Sequence, residues 1–442
     1  MAQDDSRVLP PDDPMRRVLH DEIHARPPAM VRLPALVTYI AVLNAGIERD
    51  QECAHLQALP GQMSLSVDQL QGNFLRLNCE GYTVKWERHT EFTRYSVVQP
   101  LPAHAGWGSE LPELAHHVAT GTPWMRDIPG QSVAAIQLAM LPEGLNDPHM
   151  MAKAQRWLGP GMVVGSHMGG SAQGQPHSCL LTHFRIGDDG IERMLVLAAS
   201  DTTETRAGRI SQRVLELETY RLMALRGLPV VKRLAPELAQ AESRLADIAL
   251  RLEAKQDGDQ ILLDDLVGLA SKVERATAEH GYRFSATRAY DALVRERITE
   301  LRERPLVGTQ TVGEFMQRRL APAIATVAAT HQRLSALSER VARASALLRT
   351  RVDIATEAQN QQLLEKLTRG QALQLRLQST VEGLSIAAIS YYVVSLLLYG
   401  AKALKLAGLP IHPELVSGAL IPVVLWAVWK ITRRVYNRIH LP

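Results

Sequence analysis

The stretch Leu384-Ser385-Ile386-Ala387-Ala388-Ile389-Ser390-Tyr391-Tyr392-Val393-Val394-Ser395-Leu396-Leu397-Leu398-Tyr399-Gly400-Ala401 contains no charged side chain. As a helix its eighteen positions extend about 27 Å at ~1.5 Å each, close to the hydrocarbon thickness of a bilayer. A second uncharged stretch covers residues 415–429. Alone it reaches only about 22 Å, but Lys430, Arg433 and Arg434 can extend their stems and lengthen it. Leu409-Pro410, with Pro413 close behind, supplies the turn between the two. Span 1 is represented by Leu384, Ile389, Tyr391, Leu397 and Tyr399, and span 2 by Leu415, Ile421, Trp426 and Trp429. Tyr391, Tyr392, Tyr399, Trp426, Trp429 and Tyr436 include residues suited to the membrane interface. A buried hairpin in a soluble protein would need an apolar cover, and nothing else in the chain is apolar enough to provide one.

The flanks set the expected orientation. Lys366, Arg369 and Arg376 precede span 1, and Lys430, Arg433, Arg434 and Arg438 follow span 2, against Lys402 and Lys405 in the connection. The basic excess places both ends in the cytoplasm. Residues 1–13 carry Asp4, Asp5, Asp12 and Asp13 and lack the basic-then-apolar pattern of a secretory signal, which agrees with an unexported N-terminus.

Working outward from the hairpin, the rest reads as soluble. The chain has 442 residues, 46% apolar and 21% charged, too polar for a carrier built mainly from membrane helices and too apolar for a disordered chain. A net charge of +3 gives no global field toward nucleic acid. Cys53, Cys79 and Cys179 form neither a disulfide framework nor a zinc ribbon.

The expected fold is an α+β N-terminal domain over residues 1–200, a long-helix, coiled-coil-like region over 201–380, and the transmembrane hairpin over 381–442. In the first segment, residues 74–79 and 82–86 alternate around Glu80-Gly81 as a hairpin, and 92–98 continues the meander. Strands are also expected at 132–140, 162–166, 179–186 and 194–199, the last two joined by Gly187-Asp188-Asp189-Gly190. Helices are expected at 49–59, 111–119 and 149–158, flanking an antiparallel sheet. Glycine-rich residues 165–174 match no phosphate-binding fingerprint and read as a mobile loop. Lys85, Glu87, His89 and Glu91 line one face of a strand, which reads as the solvated side of the sheet.

In the second segment Leu238, Leu245, Ile248 and Leu252, then Leu262, Leu266, Leu269, Val273 and Ala276, give two helices around Asp257-Gly258-Asp259. Ile324, Val327, His331, Leu334, Val341, Leu348, Val352 and Ala355 share a heptad seam, with Ser338, Ser345 and Gln359 as its weak positions. Intramolecular packing accounts for such a seam; an intermolecular coiled coil is the sharper alternative.

Several stretches carry a resemblance: residues 19–28 (LHDEIHARPP), 85–92 (KWERHTEF), 217–221 (LETYR), 349–353 (RTRVD) and 374–392 (QLRLQSTVEGLSIAAISYY). They resemble a bacterial family of predicted membrane-anchored proteins known only as a domain of unknown function. The resemblance implies a bacterial inner membrane for the hairpin, and no activity, ligand or catalytic residue.

Three functions fit. The first, which the sequence favours, is a membrane-anchored scaffold or assembly protein. It would be a homo-oligomer facing the cytoplasm, with the bilayer and an unidentified cytoplasmic protein as partners, no nucleic acid and no cofactor. The second is a divalent cation channel laid out like CorA-type magnesium channels. Those carry Tyr-Gly-Met-Asn where this chain has Tyr399-Gly400-Ala401-Lys402, and an ammonium at a pore mouth repels a divalent cation. The third is a metal-dependent enzyme using His20, Glu22 and His24. The histidines fall one helical turn apart, a spacing that can hold zinc, but Glu22 is misplaced for both H-E-x-x-H and H-x-x-E-H. A short helix with locally bonded histidines before Pro27-Pro28 explains that stretch without a metal.

The basic flanks yield a direct test. In a background lacking the native cysteines, single cysteines placed beside Pro410 and after Arg438 are expected to label from opposite sides of the membrane. Labelling of both from the cytoplasm would overturn the hairpin.

Overall fold

The run Ala35–Leu43 (β1) is apolar at nearly every position and buried on both faces, and the sheet is built around it. The computed structural model of the chain describes residues 12–24, 27–101, 120–142, 145, 149–169, 174–254, 257–407 and 412–439. In chain order, α1 (Arg16–His24) precedes β1, and α2 (Arg49–Gln57) leads to the meander β2 (Phe74–Cys79), β3 (Tyr82–Arg88) and β4 (Phe92–Pro100). After α3 (Gly121–Arg126) come β5 (Gln131–Pro142), α4 (Met150–Leu158), β6 (Val164–Met168), β7 (Ser178–Ile186) and β8 (Glu192–Ala198). The nine-stranded order is β2-β3-β4-β1-β5-β8-β7-β6-β9, where β9 is Arg304–Pro305.

The expected strands all form, with small differences in their ends, and both turn signals close hairpins: Cys79 pairs with Tyr82, and Gly187 N–H donates to the Ile191 carbonyl at 3.0 Å. Three expectations need correction. The sheet is mixed, because β5 passes through α4 to β6, and the meander back then lays β8 parallel to β5. Strand β1 is not among the expected strands, since burial on both faces removes the alternation that marks a half-exposed strand. Gly165 belongs to β6 rather than to a mobile loop: a Cβ there would press on Leu181 Cδ2 at 2.8 Å. The helix expected at 111–119 lies outside the described residues.

Helix α5 (Glu204–Leu225) covers one face of the sheet, where Val37, Tyr39, Ile136, Leu138, Val214 and Met223 share a core. The opposite face packs on α4 around Trp157 and Leu195, and on α2 around Leu56 and Trp86. The β-hairpin region then gives way to helices α6 (Gly227–Ala254), α7 (Asp259–Leu301), α8 (Val312–Arg319) and α9 (Ala321–Leu406). Leu238, Leu245 and Ile248 on α6 and Leu266, Leu269 and Val273 on α7 are buried, as their spacing predicts. So are Val327, Leu334, Val341 and Leu348 on α9, which the chain's own helices cover; from residue 353 to 389 almost every position is exposed.

Helix α9 has 86 residues and is about 130 Å long at ~1.5 Å per residue. Together with α10 (Pro413–Ile439) it provides the two helices that, among the described residues, are long and apolar enough to cross a membrane. Compactness divides the chain elsewhere than its texture does. One unit comprises Met1–Gln256 and Asp264–Ala344, the other Asp257–Leu263 and Ser345–Pro442. Within the second, Arg351 pairs with Asp259 at 3.1 Å, and Ser390, Ala401, Ser417 and Val424 are buried, so the apolar pair closes on mostly small side chains.

Two helical glycines make opposite predictions. A Cβ on Gly208 would overlap the Ala29 carbonyl oxygen, whereas one on Gly268 would meet nothing within 4 Å. Gly208→Ala is expected to destabilise by roughly 2 kcal/mol or more through overpacking. Gly268→Ala should stabilise by about 0.5–1 kcal/mol through helix propensity. Urea titrations of the purified protein separate them; a more stable Gly208→Ala variant would refute the packing of α5.

Candidate functional site

The meander puts Lys85 and Glu87 of β3 opposite Ser96 and Arg94 of β4, on the face that α5 covers. This corrects the expectation of a solvated strand face: Lys85 is 4% exposed, Glu87 1% and Arg94 3%. The charges form a chain. Lys85 Nζ lies 3.1 Å from Glu87 Oε1 as an ion pair without good hydrogen-bond alignment, and Arg94 Nε donates to Glu87 Oε2. Arg94 Nη1 donates to Glu216 Oε1 on α5 at 3.0 Å, and Arg297 Nε on α7 donates to Glu216 Oε2 at 2.8 Å. Arg297 also meets Glu300 at 2.7 Å, and Glu300 accepts from Arg213 Nε at 3.1 Å.

Burial sets the electrostatics of this chain. It pulls the Lys85 ammonium below its usual range, with Glu87 opposing the shift and Arg94 adding to it. Burial would raise the Glu87 carboxyl, but Arg94 and Lys85 together hold it below its usual range. Desolvating an ion costs several kcal/mol, so removing one member leaves its neighbour as an uncompensated buried charge. The chain ties the sheet to α5 and α5 to α7, and ends at Arg213 on the wall of an open cleft.

A second buried cluster lies further along α5. Glu218 accepts from Arg221 Nε at 2.7 Å and is hydrogen-bonded to Glu192 of β8, which also receives the Thr182 hydroxyl at 3.5 Å. Burial, and then the neighbouring Glu218, push the Glu192 carboxyl well above its usual range. Both effects disfavour its charged form. Arg221 lies over the Phe184 ring at 5.4 Å, and Phe184, at φ 50°, stacks on Phe315 at a centroid distance of 4.8 Å.

The chain matches the family described as "Protein of unknown function (DUF3422)" over residues 11–439. It belongs to that family. No curated protein and no solved structure matches it. Members of the family thus lend no activity to these clusters, and the chemistry must come from the residues.

The sequence-predicted residues fall in three places. His20, Glu22 and His24 lie on α1, with His20 exposed and the side chains of Glu22 and His24 outside the described residues. Among the described residues no group of three His, Cys, Asp or Glu is placed to hold a metal. The span residues Leu384, Ile389, Tyr391, Leu397, Tyr399, Leu415, Ile421, Trp426 and Trp429 are exposed. At the far end of the first apolar stretch, Lys402 Nζ sits 5.9 Å from the Tyr399 ring centre and Gly400 faces open space. Lys430 lies 4.3 Å over Trp426 and Arg433 5.0 Å over Trp429, pairing cations with indoles as interfacial residues do. Arg376 and Arg434 are exposed; the Arg438 side chain is outside the described residues.

Sequence reasoning missed Glu216, Glu218, Arg297 and Glu300. A signal existed: Glu216 and Glu218 interrupt the apolar run of Val214, Leu215, Leu217 and Tyr220, where acids are out of place unless paired.

The Glu192 shift gives a pH prediction with a definite sign. Above the ordinary glutamate value of about 4.3 the folded chain holds a proton that the unfolded chain has lost, so stability falls as pH rises toward the folded value. Glu192→Gln is neutral throughout, so over the pH range above the ordinary glutamate value it should lose less stability than wild type. Urea midpoints measured across that range decide it; parallel curves for the two proteins would exclude a protonated Glu192.

Proposed function

We propose that the protein is a membrane-embedded homo-oligomer in which the soluble domain acts on its own spanning helices through α9, the layout of a gated ion-transport protein. One observation carries this reading. Helix α9 runs without a break from buried Val327 and Leu334 to Tyr399 and beyond, 86 residues in all. A passive anchor needs only apolar length, and any flexible linker would serve it. A continuous helix that joins a folded body to an apolar span is what transmission of a conformational change requires.

Self-association rests on the same helix. Leu363, Leu364, Leu367, Leu373, Leu375 and Leu377 are exposed on α9, uncovered by any of the described residues. Helices in water owe most of their stability to packing of an apolar face. Copies of α9 side by side would supply that packing and bring the first spans together. The order of parts is that of CorA-type channels: an α/β domain, long helices, a helix continuing into span 1, a second span and a basic end. Lys402 departs from their filter sequence and would place a ring of positive charge at the mouth, so their divalent selectivity does not carry over.

The test separates transport from the scaffold that sequence alone favours. Purified protein in liposomes is assayed for magnesium, cobalt, nickel and chloride flux, alongside Lys402→Gln and a variant with Gly-Ser-Gly-Ser inserted after Gln361. Wild type should exceed empty liposomes, Lys402→Gln should raise divalent flux relative to chloride, and the insertion should abolish flux while oligomer size is kept. No flux of any of these ions from a correctly inserted oligomer would leave the scaffold reading standing and remove transport.

A further inference from the structure

The ion-pair chain ends on a cleft of about 490 Å³ formed by the start of α5, the end of α7 and the β6–β7 end of the sheet. Its walls carry Arg206, Arg209 and Arg213, spaced on one face of α5, together with Arg302, His177 and a single acid, Glu300. Glu300 is already engaged by Arg213 and Arg297. Among the described residues no carboxylate pairs with Arg206, Arg209 or Arg302. Including the chain behind it, Lys85, Arg94, Arg297 and Arg213 face Glu87, Glu216 and Glu300, so the network adds no spare negative charge to balance the cleft.

Two features show that these groups are placed rather than scattered. Arg302 has a φ of 47°, just past the end of α7, a left-handed position that ordinarily goes to glycine or asparagine. Keeping a long cationic side chain there works against the backbone. His177 donates or accepts through Nδ1 with Ser178 Oγ at 2.9 Å, and its ring packs on Gly169 so closely that a Cβ would overlap it. Gly169, at φ 74°, thereby seats the imidazole in the cleft. Burial, and then Arg206 and Arg213, hold His177 below its usual range.

We propose that this cleft binds a soluble phosphate-bearing small molecule carrying at least two negative charges. A carboxylate is planar and one guanidinium fork satisfies it. Arginines contributed by α5 and by the residue after α7 suit a tetrahedral oxyanion with oxygens facing several directions. The volume exceeds that of one phosphate, and Ile210 and Leu301 give the cleft an apolar part for an organic remainder. The site does not depend on whether the apolar helices conduct ions.

The test uses the full-length protein in detergent and inorganic pyrophosphate as the probe, titrated calorimetrically at about 150 mM KCl, where screening beyond roughly 8 Å removes diffuse attraction. Saturable binding is expected. Arg206→Gln and Arg302→Gly should each weaken it at least about tenfold, the loss of a charge-assisted contact. Arg343→Gln, on the exposed side of α9, should leave it unchanged. Arg302→Gly is the informative variant, because glycine suits the backbone there: it should unfold no earlier than wild type while losing the ligand. Absence of saturable binding would overturn the proposal, as would equal affinity in all three variants. So would binding of short-chain phosphatidic acid without pyrophosphate, which would make the ligand a lipid headgroup.

Discussion

Glu216 takes guanidinium N–H groups from two directions, Arg94 on the sheet and Arg297 on α7, while Gln212 one turn back on its own helix donates a third bond at 2.8 Å. A carboxylate so enclosed cannot relax toward water. Removing either arginine would leave the acid underpaired in a low-dielectric site, a change that typically costs 3–5 kcal/mol when a buried pair is broken. The position of α5 over β1, β4 and β5, and of α7 against α5, is therefore fixed by directional contacts and not by apolar area alone. Area is indifferent to a small slide of one helix; a three-sided carboxylate is not.

That constraint explains which parts of the molecule were legible in its sequence. Hairpins at Glu80-Gly81 and Gly187-Asp188-Asp189-Gly190 announce themselves because turn geometry is local. The helical spacing from Leu238 to Leu348 and the uncharged stretches at 384–401 and 415–429 are equally local. Strand β1 was hidden for the opposite reason: a strand buried on both faces has no periodicity to detect. Lys85 and Glu87 were misread because their burial depends on α5, more than a hundred residues later in the chain. The sequence holds both halves of the Arg94–Glu216 contact, but nothing local joins them. The arginines of the cleft are split in the same way, between the first turns of α5 and the residue after α7.

Helix α9 belongs to both compact units. Its first part is covered by α6 and α7, with Arg333 paired to Glu242 at 2.7 Å and His331 beside Phe284 at 5.3 Å. Its later part presents leucines outward and then becomes uncharged. Those two surfaces call for different solvents. On the reading proposed above, copies of the helix meet where the leucines are exposed and lipid takes over where charge ends.

The cleft and α9 are connected by contiguous packing. Arg213, Glu300 and Arg302 line the cleft; Arg297 lies three residues before Glu300 on α7, and further along that helix Phe284 and Arg288 meet His331 of α9. Contiguity alone transmits nothing: a ligand shifts a structure only by the difference in its affinity for two arrangements. The Arg213–Glu300 pair would supply such a difference for the proposed ligand. An anion in the cleft would compete with Glu300 for Arg213, while a displaced Glu300 still has Arg297 at 2.7 Å. The competition would leave every carboxylate paired in both arrangements, so neither would carry the penalty of a buried orphan charge. Exchange of partners at constant pairing would keep the two states within reach of each other, as a coupling of about 1–3 kcal/mol between ligand and helix requires.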